Sequence, residues 1–151
     1  MADLAEDWTR SDEGPETWSP YQVVAHLTHI EEVDWIDRVG VILDHGTGRV
    51  FEPVDREAGF SRFAGGLKEL LDRFETQRTC SLETLDALVT AEDLKRQGTH
   101  PTFGDVTLSE LLATWTVHDL NHLGHMVKTM AKQYTQPVGP WREFLPIIDA
   151  P

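Results

Sequence analysis

Cysteine is almost absent from this sequence, which has Cys80 alone among 151 residues. A single thiol cannot form an intramolecular disulfide, so nothing in the cysteine content ties the fold to an oxidising compartment. An isolated cysteine in a globular protein is by default a small buried hydrophobic residue, and we expect this of Cys80. Disulfide-stabilised folds are therefore excluded, and a thiol nucleophile is not favoured.

Basic residues are also scarce, with 13 Lys and Arg against 26 Asp and Glu, which gives a net charge of −13 with neutral histidines. An acidic surface repels phosphate backbones and anionic lipid headgroups, so we expect neither nucleic acid nor a membrane as a partner. The sequence has no apolar run of membrane-spanning length and no basic segment leading into an apolar one. The predicted location is the cytoplasm.

Sustained strand alternation, internal repeats and a Gly-rich phosphate loop are missing as well. Apolar residues recur instead at helical spacing. A composition of 40% apolar and 26% charged residues over this length is typical of one globular domain. We therefore predict a single all-α domain over residues 1–151, in which residues 1–17 form a short polar segment broken at Gly14 and Pro15.

The longest predicted helix covers residues 107–134 and begins with a capping box formed by Thr107 and Glu110. His118 and His122 are four residues apart and therefore lie one turn apart on the same face, and His125 follows three residues later. Seven apolar residues flank this stripe: Leu112, Trp115, Leu120, Leu123, Met126, Val127 and Met130. The arrangement resembles a ligand-bearing helix in a bundle.

Two explanations of this histidine pair stay open at this point. A chain with seven histidines often places two of them at this spacing by chance, or as hydrogen-bonded polar residues. Alternatively, the pair binds a metal ion, in which case a third protein ligand is needed and a remaining position is left for water or substrate. The rest of the chain has to supply that ligand.

A second helix is predicted from Pro20 to about Leu43, because Ser19 and Gln22 form another capping box around Pro20. On it, His26 lies in an apolar stripe that also includes Asp37. A buried imidazole needs partners for both nitrogens.

His26 is therefore either a core histidine bonded to a backbone carbonyl or to Asp37, or a third metal ligand facing His118 and His122. His29 lies off the stripe, and we expect it to face solvent.

The remaining helices are predicted over residues 56–79 and 81–89, with a polar connection over residues 91–106 in which His100 is exposed. The acidic cluster of Glu31, Glu32 and Asp34 is interpreted as a solvated face. The residue after His118 is Asp119 rather than the Glu of the HExxH motif, so proteolysis is not favoured. We interpret Asp119 as a structural residue that bonds another helix.

Three segments of the sequence resemble the motifs of one known family. They are the run from Trp18 to Leu27, which reads WSPYQVVAHL, residues 117–124, VHDLNHLG, and residues 138–141, VGPW. The first is similar to the first motif of the DinB-like superfamily, the second resembles its second motif, and the third resembles the segment that follows. The resemblance extends roughly from Trp18 to Leu145. It implies a four-helix bundle, often homodimeric, with a three-histidine metal site.

Carried onto this chain, the resemblance makes His26, His118 and His122 the ligands of a zinc or nickel ion. Many members have Gln where this chain has His125, so His125 is an additional candidate for lining the site, together with Asp37 and Trp115. Fewer residues precede Trp18 than the full first helix of the family requires. We expect this helix to be short, replaced by the segment after Ser81, or supplied by the partner in a homodimer.

Two functional hypotheses follow from the resemblance. Some relatives are metal-dependent transferases that activate a low-molecular-weight thiol such as mycothiol or bacillithiol, so the chain is expected to act on a small molecule by thiol transfer or, alternatively, by metal-dependent hydrolysis. The other hypothesis is a non-enzymatic metal-binding or stress-related module. A pocket over the three histidines favours an enzyme, whereas a closed site favours the module.

Overall fold

Four long helices form about half of the protein in the computed structural model, which describes residues 4–149. They are α2 (Pro20–Val33), α3 (Trp35–His45), α5 (Leu67–Leu88) and α6 (Leu108–Lys132). Two five-residue helices, α1 (Glu6–Arg10) and α4 (Ala58–Arg62), precede α2 and α5, respectively. An antiparallel hairpin of β1 (Gln97–His100) and β2 (Gly104–Thr107) connects α5 to α6. Short 3-10 helices cover Gly46–Gly48, Asp93–Lys95, Gly139–Phe144 and Pro146–Ile148.

Both predicted capping boxes are present at the starts of the helices that carry the histidines. The Ser19 hydroxyl accepts a hydrogen bond from the Gln22 amide at 3.3 Å, and the Gln22 side chain accepts one from the Ser19 amide at 2.9 Å. Thr107 and Glu110 form the same reciprocal pair at the start of α6. Each cap stabilises its helix by about 1 kcal/mol. Helix α6 then continues through Gly124 to Lys132, close to the predicted end.

The prediction of a single helix over residues 20–43 is wrong, because the helix is interrupted at Asp34. The helical hydrogen bond from the Asp34 amide to the Ile30 carbonyl ends α2, and α3 starts at Trp35 with a new phase. The buried positions of α3 are Trp35, Val39 and Ile42. Asp37 is consequently exposed rather than in line with His26.

The predicted helix over residues 56–79 is likewise divided. Helix α4 ends at Arg62, and Gly66 occupies the N-cap position of α5. Gly65 and Gly66 therefore lie between two helices and not inside one. The segment expected to be a separate helix after Ser81 is the second half of α5, in which Ser81 is buried. The polar connection that follows folds into the hairpin, which the sequence patterns did not indicate.

Two apolar clusters fill the interior. The first joins α2 to α5 and includes Tyr21, Val24, Leu27, Leu70 and Met126. The second joins α3 to the first half of α6 and includes Trp35, Ile42, Phe51, Leu108 and Trp115. Helix α2 contacts both α5 and α6, so its apolar side, which carries His26, lies between them.

Helix α4 approaches α2 closely at Gly59. A Cβ atom on Gly59 would lie 2.5 Å from the carbonyl oxygen of Ala25, a contact that only glycine avoids. The approach covers His29, which is buried and lies 3.3 Å from a guanidinium nitrogen of Arg62. The prediction that His29 faces solvent is therefore wrong, because the short helix α4 packs across α2 at this position.

The acidic cluster on α2 is also buried rather than solvated. Glu31 and Asp34 have relative exposures of 4% and 7%, and the side chain of Glu32 is almost fully covered. Each carboxylate is paired with arginine, as follows: Glu31 with Arg78, Glu32 with Arg62 and Arg73, and Asp34 with Arg38. Buried carboxylates require such partners, and the arginines from α4 and α5 supply most of them.

Two predictions away from the histidine helices are corrected by the structure. Cys80 is exposed on α5, although the next residue, Ser81, is buried. His100 is half-buried, with its ring stacked on Phe103 at a centroid distance of 4.5 Å. Within residues 4–149, none of the helices combines the length and the apolar character needed to cross a bilayer.

Candidate metal centre

Three histidines from two helices meet in the interior of the bundle. His26 comes from α2, while His118 and His122 come from α6. One ring nitrogen from each lies within 4.8 Å of those of the other two. The closest pair is Nε2 of His26 and Nε2 of His118, at 3.1 Å. The capping boxes set where α2 and α6 begin, and the packing of α2 against α6 brings the rings together.

The second ring nitrogen of His26 is occupied by the backbone. Its Nδ1–H donates to the carbonyl oxygen of Arg56 at 2.8 Å, in the segment that leads into α4. A neutral imidazole that donates from Nδ1 has its lone pair on Nε2, the atom that faces His118. His26 is thus bonded to a backbone carbonyl and also faces the other two histidines, so the two explanations left open by the sequence are compatible. Asp37 is not its partner.

The surroundings keep two of these imidazoles neutral. Burial lowers the pKa of His26 to about 4, and the nearby His118 contributes in the same direction against the favourable contact with Arg56. Burial also lowers the pKa of His122 to about 4, with further lowering from His118 and His26. Neutral imidazole is the form that binds a metal ion.

The cluster fits a divalent metal ion. Two ligands at about 2.0–2.1 Å from a tetrahedral zinc ion lie about 3.3 Å from each other, close to the 3.1 Å between the two Nε2 atoms. In addition, Nδ1 of His122 is buried and has no hydrogen-bond partner among residues 4–149. A buried polar nitrogen without a partner needs an explanation, and a bound ion is one of them.

A model of the DinB superfamily matches residues 1–126 of the sequence. The chain belongs to the DinB superfamily. The match includes all three histidines and the first two of the three segments, and it confirms the resemblance to this superfamily. The third segment, residues 138–141, lies beyond the matched residues. A search among curated proteins finds no match.

A solved structure shares the fold of this DinB-superfamily chain. It is described as "YfiT from Bacillus subtilis is a probable metal-dependent hydrolase with an unusual four-helix bundle topology". The TM-score is 0.73 at 21% sequence identity, and the alignment covers 86% of this chain and 75% of YfiT. At this identity the likeness concerns the fold, and it confirms the predicted all-α four-helix bundle.

Aromatic rings surround the cluster of this DinB-superfamily member. The indole of Trp18 lies 5.0 Å from the His26 ring and is parallel to the His122 ring at 5.8 Å. The indole of Trp35 contacts His118 edge to face at 5.3 Å. Trp115, the aromatic residue predicted to line the site, stacks on Trp35 at a centroid distance of 5.6 Å. Trp35, and not Trp115, makes the ring contact with His118.

The cluster opens to the surface through a small mouth. A cavity of about 200 Å³ is lined by Glu16, Trp18, Arg56, His122 and His125. His125 is half-buried at this mouth and is hydrogen-bonded to the Trp18 backbone. The structure thus places His125 beside the cluster but outside the group of three converging nitrogens.

Asp37, the remaining candidate, lies elsewhere. It lines a cavity of about 690 Å³ between α3 and residues 49–58, together with Asp34, Arg38 and Phe51. None of the three clustered histidines lines that cavity. The break at Asp34 explains the difference, since an uninterrupted helix would place Asp37, eleven residues after His26, on the same face.

Sequence reasoning missed Trp35 and Arg56 as neighbours of the cluster. Nine residues separate His26 and Trp35, about half a turn in a continuous helix, so only the break at Asp34 lets both contact His118. Arg56 is bonded through its backbone carbonyl, which carries no sequence signal. Trp18 could have been found, because it directly precedes the N-cap Ser19 of the helix that bears His26.

Proposed function

We propose that His26, His118 and His122 bind a zinc or nickel ion, and that the protein is a metal-dependent transferase that activates a low-molecular-weight thiol. The observation that carries the proposal is the convergence of three imidazole nitrogens within 4.8 Å, in a setting that keeps His26 and His122 neutral. Membership of the DinB superfamily supports it, because three-histidine metal sites and thiol transferases are known in that family.

The ligand set favours an anionic sulfur ligand. When bound, a divalent ion held by three neutral imidazoles supplies uncompensated positive charge, which lowers the pKa of a thiol. The protein residues contribute orientation and exclusion of water: Trp18 and Trp35 cover the rings from two sides. Arg56 adds a cation at the mouth, close enough to lower the pKa of His26, and can attract a substrate that carries a carboxylate.

Hydrolysis is the second candidate, favoured by the description of YfiT as a probable metal-dependent hydrolase. A hydrolase needs a base that takes a proton from water. Asp119 stands where a metalloprotease has its Glu, but it is engaged by Arg78 at 2.7 Å. The available groups at the mouth are Glu16 and His125. A hydrolytic reaction would therefore depend on one of these two, whereas thiol activation requires neither.

One set of measurements separates the candidates. Protein purified without a histidine tag is first analysed for bound metals. The metal-loaded protein is then assayed for thiol transfer, with several cellular thiols and a chromogenic electrophile. A parallel assay with chromogenic esters measures hydrolysis. We expect thiol transfer that disappears in His118→Ala and persists in His100→Ala. Ester hydrolysis without thiol transfer would favour the second candidate. Metal binding with neither activity would favour a non-enzymatic module.

We further infer that the chain forms a homodimer through the outer face of α6. Val117 and Leu120 on this face are 62% and 60% exposed, and Leu123 and Val127 continue the same stripe. Contiguous exposed apolar surface is typical of an interface, and an uncharged stripe lets two strongly acidic copies meet. Light scattering should give a dimer mass for the wild type and a monomer mass for Leu120→Glu. A monomeric wild type at micromolar concentration would contradict the inference.

A further inference from the structure

Two buried polar atoms beside the histidine cluster lack a hydrogen-bond partner in the described part of the chain: Nδ1 of His118 and Oδ1 of Asp119. They lie 3.6 Å apart, slightly beyond hydrogen-bond distance. The imidazole nitrogen can donate, whereas the carboxylate oxygen can only accept. Buried polar groups rarely stay unpaired, and a small rotation of either side chain would join these two.

The orientation of the His118 ring connects this pairing to the proposed metal site. Its Nε2 faces Nε2 of His26 at 3.1 Å, so Nε2 is the atom turned toward the proposed metal position. Nδ1 therefore lies on the other side of the ring, toward Asp119. A proton on Nδ1 leaves the lone pair on Nε2, and the hydrogen bond of the other nitrogen determines which tautomer a histidine adopts.

Asp119 is held from behind by an ion network that crosses three helices. Its Oδ2 lies 2.7 Å from Nη2 of Arg78 on α5. The same guanidinium donates from Nε and Nη2 to the two oxygens of Glu31 on α2, both at 2.9 Å, and the Glu31 side chain is fully buried. The Arg78 guanidinium also lies over the Trp115 ring at 5.2 Å. One oxygen of Asp119 is thus committed to Arg78, and the other is left for His118.

We propose that Asp119 is a positioning residue for metal binding, which accepts the Nδ1–H of His118 and thereby presents Nε2 of His118 to the metal ion. The proposal rests on the three-histidine site described above. In this arrangement Arg78 holds Oδ2 of Asp119, whereas its contact with Glu31 joins α5 to α2 without touching Asp119 or His118. Carboxylate–histidine pairs of this kind hold the ligand ring in one orientation and raise its basicity.

Asp119→Asn provides a sharp test, because an amide has one acceptor and one donor where a carboxylate has two acceptors. If the amide oxygen faces Arg78, its NH₂ group faces Nδ1 of His118 and favours the proton on Nε2, the tautomer in which Nε2 cannot bind a metal. If the amide turns over, its NH₂ group faces the Arg78 guanidinium. Either way one of the two contacts is lost, although the size of the side chain is unchanged.

Glu31→Gln is the matched control. It removes one carboxylate from the same Arg78 and weakens the same network, but it leaves Asp119 in place. Affinities for Zn²⁺ are measured by competition with a chromogenic chelator, and unfolding temperatures are measured for the metal-free proteins. We expect both variants to lower the unfolding temperature, Asp119→Asn to weaken zinc binding by about 10- to 100-fold, and Glu31→Gln to bind zinc nearly as tightly as the wild type.

A second readout needs no variant. In the zinc-loaded wild type, ¹H–¹⁵N NMR of the imidazoles should show the His118 Nδ1–H proton shifted downfield and slow to exchange with water. The proposal is overturned if this proton exchanges freely, or if Asp119→Asn binds zinc as the wild type does, or if Glu31→Gln loses as much affinity as Asp119→Asn. A wild type that binds no zinc would instead contradict the metal site itself, so the two failures are distinguishable.

Discussion

The two nitrogens that face each other across the cluster are supported in different ways. On the α2 side, Nδ1 of His26 donates to the backbone carbonyl of Arg56 at 2.8 Å. On the α6 side, Nδ1 of His118 is 3.6 Å from the carboxylate of Asp119, which depends on Arg78 for its own orientation. One half of the site is thus fixed by main-chain geometry, and the other half by the side chains of Asp119 and Arg78.

This difference determines what each half is sensitive to. A backbone carbonyl keeps its chemistry whatever side chain is attached, so the α2 half should respond to changes in helix spacing and not to the identity of residue 56. Its position depends on the close approach of α4 to α2 at Gly59. The α6 half should respond to single changes of charge or hydrogen-bonding type, as in Asp119→Asn. The predictions below test this contrast.

The largest effect should come from removing the imidazoles of either half. A ligand that binds only the native state stabilises it by RT ln(1 + [L]/Kd), about 4 kcal/mol at a thousandfold excess over Kd. His26→Ala, His118→Ala and His122→Ala should each lose most of this zinc-dependent stabilisation, measured as the shift in unfolding temperature on adding Zn²⁺ and reversed by a chelator.

Other histidines serve as controls for that experiment. His29→Ala and His100→Ala should retain the zinc-dependent shift, although His29→Ala should lower the stability of both forms because His29 is buried. His125→Ala should be intermediate, since His125 lines the mouth without joining the cluster. A full zinc response in all three cluster variants would show that the proposed site does not exist.

Acidification of the metal-free protein should have the next largest effect, a decrease in the free energy of unfolding. The pKa values of His26 and His122 are lowered from 6.5 to about 4 in the folded state. Between these values the unfolded chain binds more protons than the folded one, so the free energy of unfolding falls as the pH is lowered from about 6.5 to about 4, and these two groups add no further loss below that. Urea unfolding at a series of pH values measures the slope.

The slope can be assigned to a histidine by comparison with a variant. His26→Gln removes one of the two titrating groups, so its stability should depend less steeply on pH over the same window. Carboxylates also titrate near the lower end of this range, but they are shared by both proteins. Equal slopes for the variant and the wild type would contradict a neutral buried His26.

A moderate effect is expected from Gly59→Ala, which acts on the α2 half alone. The added Cβ would lie 2.5 Å from the Ala25 carbonyl oxygen, so α4 must move away from α2. Overpacking of this kind costs about 1–3 kcal/mol of unfolding free energy. Gly40→Ala on α3 is the control, because nothing lies within 4 Å of its Cβ position, and it should stabilise the helix by up to about 1 kcal/mol.

The parts of the site that were predictable from sequence are those coded by local patterns. The capping boxes at Ser19 and Thr107 specify where α2 and α6 begin, and the spacing of His118 and His122 specifies their common face. The α6 helix follows its predicted course because no competing signal interrupts it. The resemblance to the DinB superfamily then joined His26 to this pair, which spacing alone could not do.

The parts that were not predictable depend on contacts between distant segments. The break at Asp34 changes the phase of the helix after Ile30, which exposes Asp37 and turns Trp35 toward His118. The burial of His29 depends on α4, a five-residue helix that a single glycine allows to approach. The carboxylates of α2 looked like a solvent-facing cluster because their arginine partners lie on other helices.

The smallest effect, and the most direct test of the contrast between the two halves, should come from Arg56→Ala. The hydrogen bond to His26 is made by the main-chain carbonyl, so it persists and the zinc affinity should stay close to that of the wild type. The exposed guanidinium at the mouth is lost, and an exposed ion pair contributes about 0.2–1 kcal/mol, or up to about fivefold in affinity. KM for a carboxylate-bearing thiol should rise by that factor with kcat unchanged, whereas Arg49→Ala, away from the mouth, should change neither.

If Arg56→Ala weakens zinc binding as much as Asp119→Asn does, the support of His26 is not a property of the backbone, and the proposed difference between the two halves of the site is wrong.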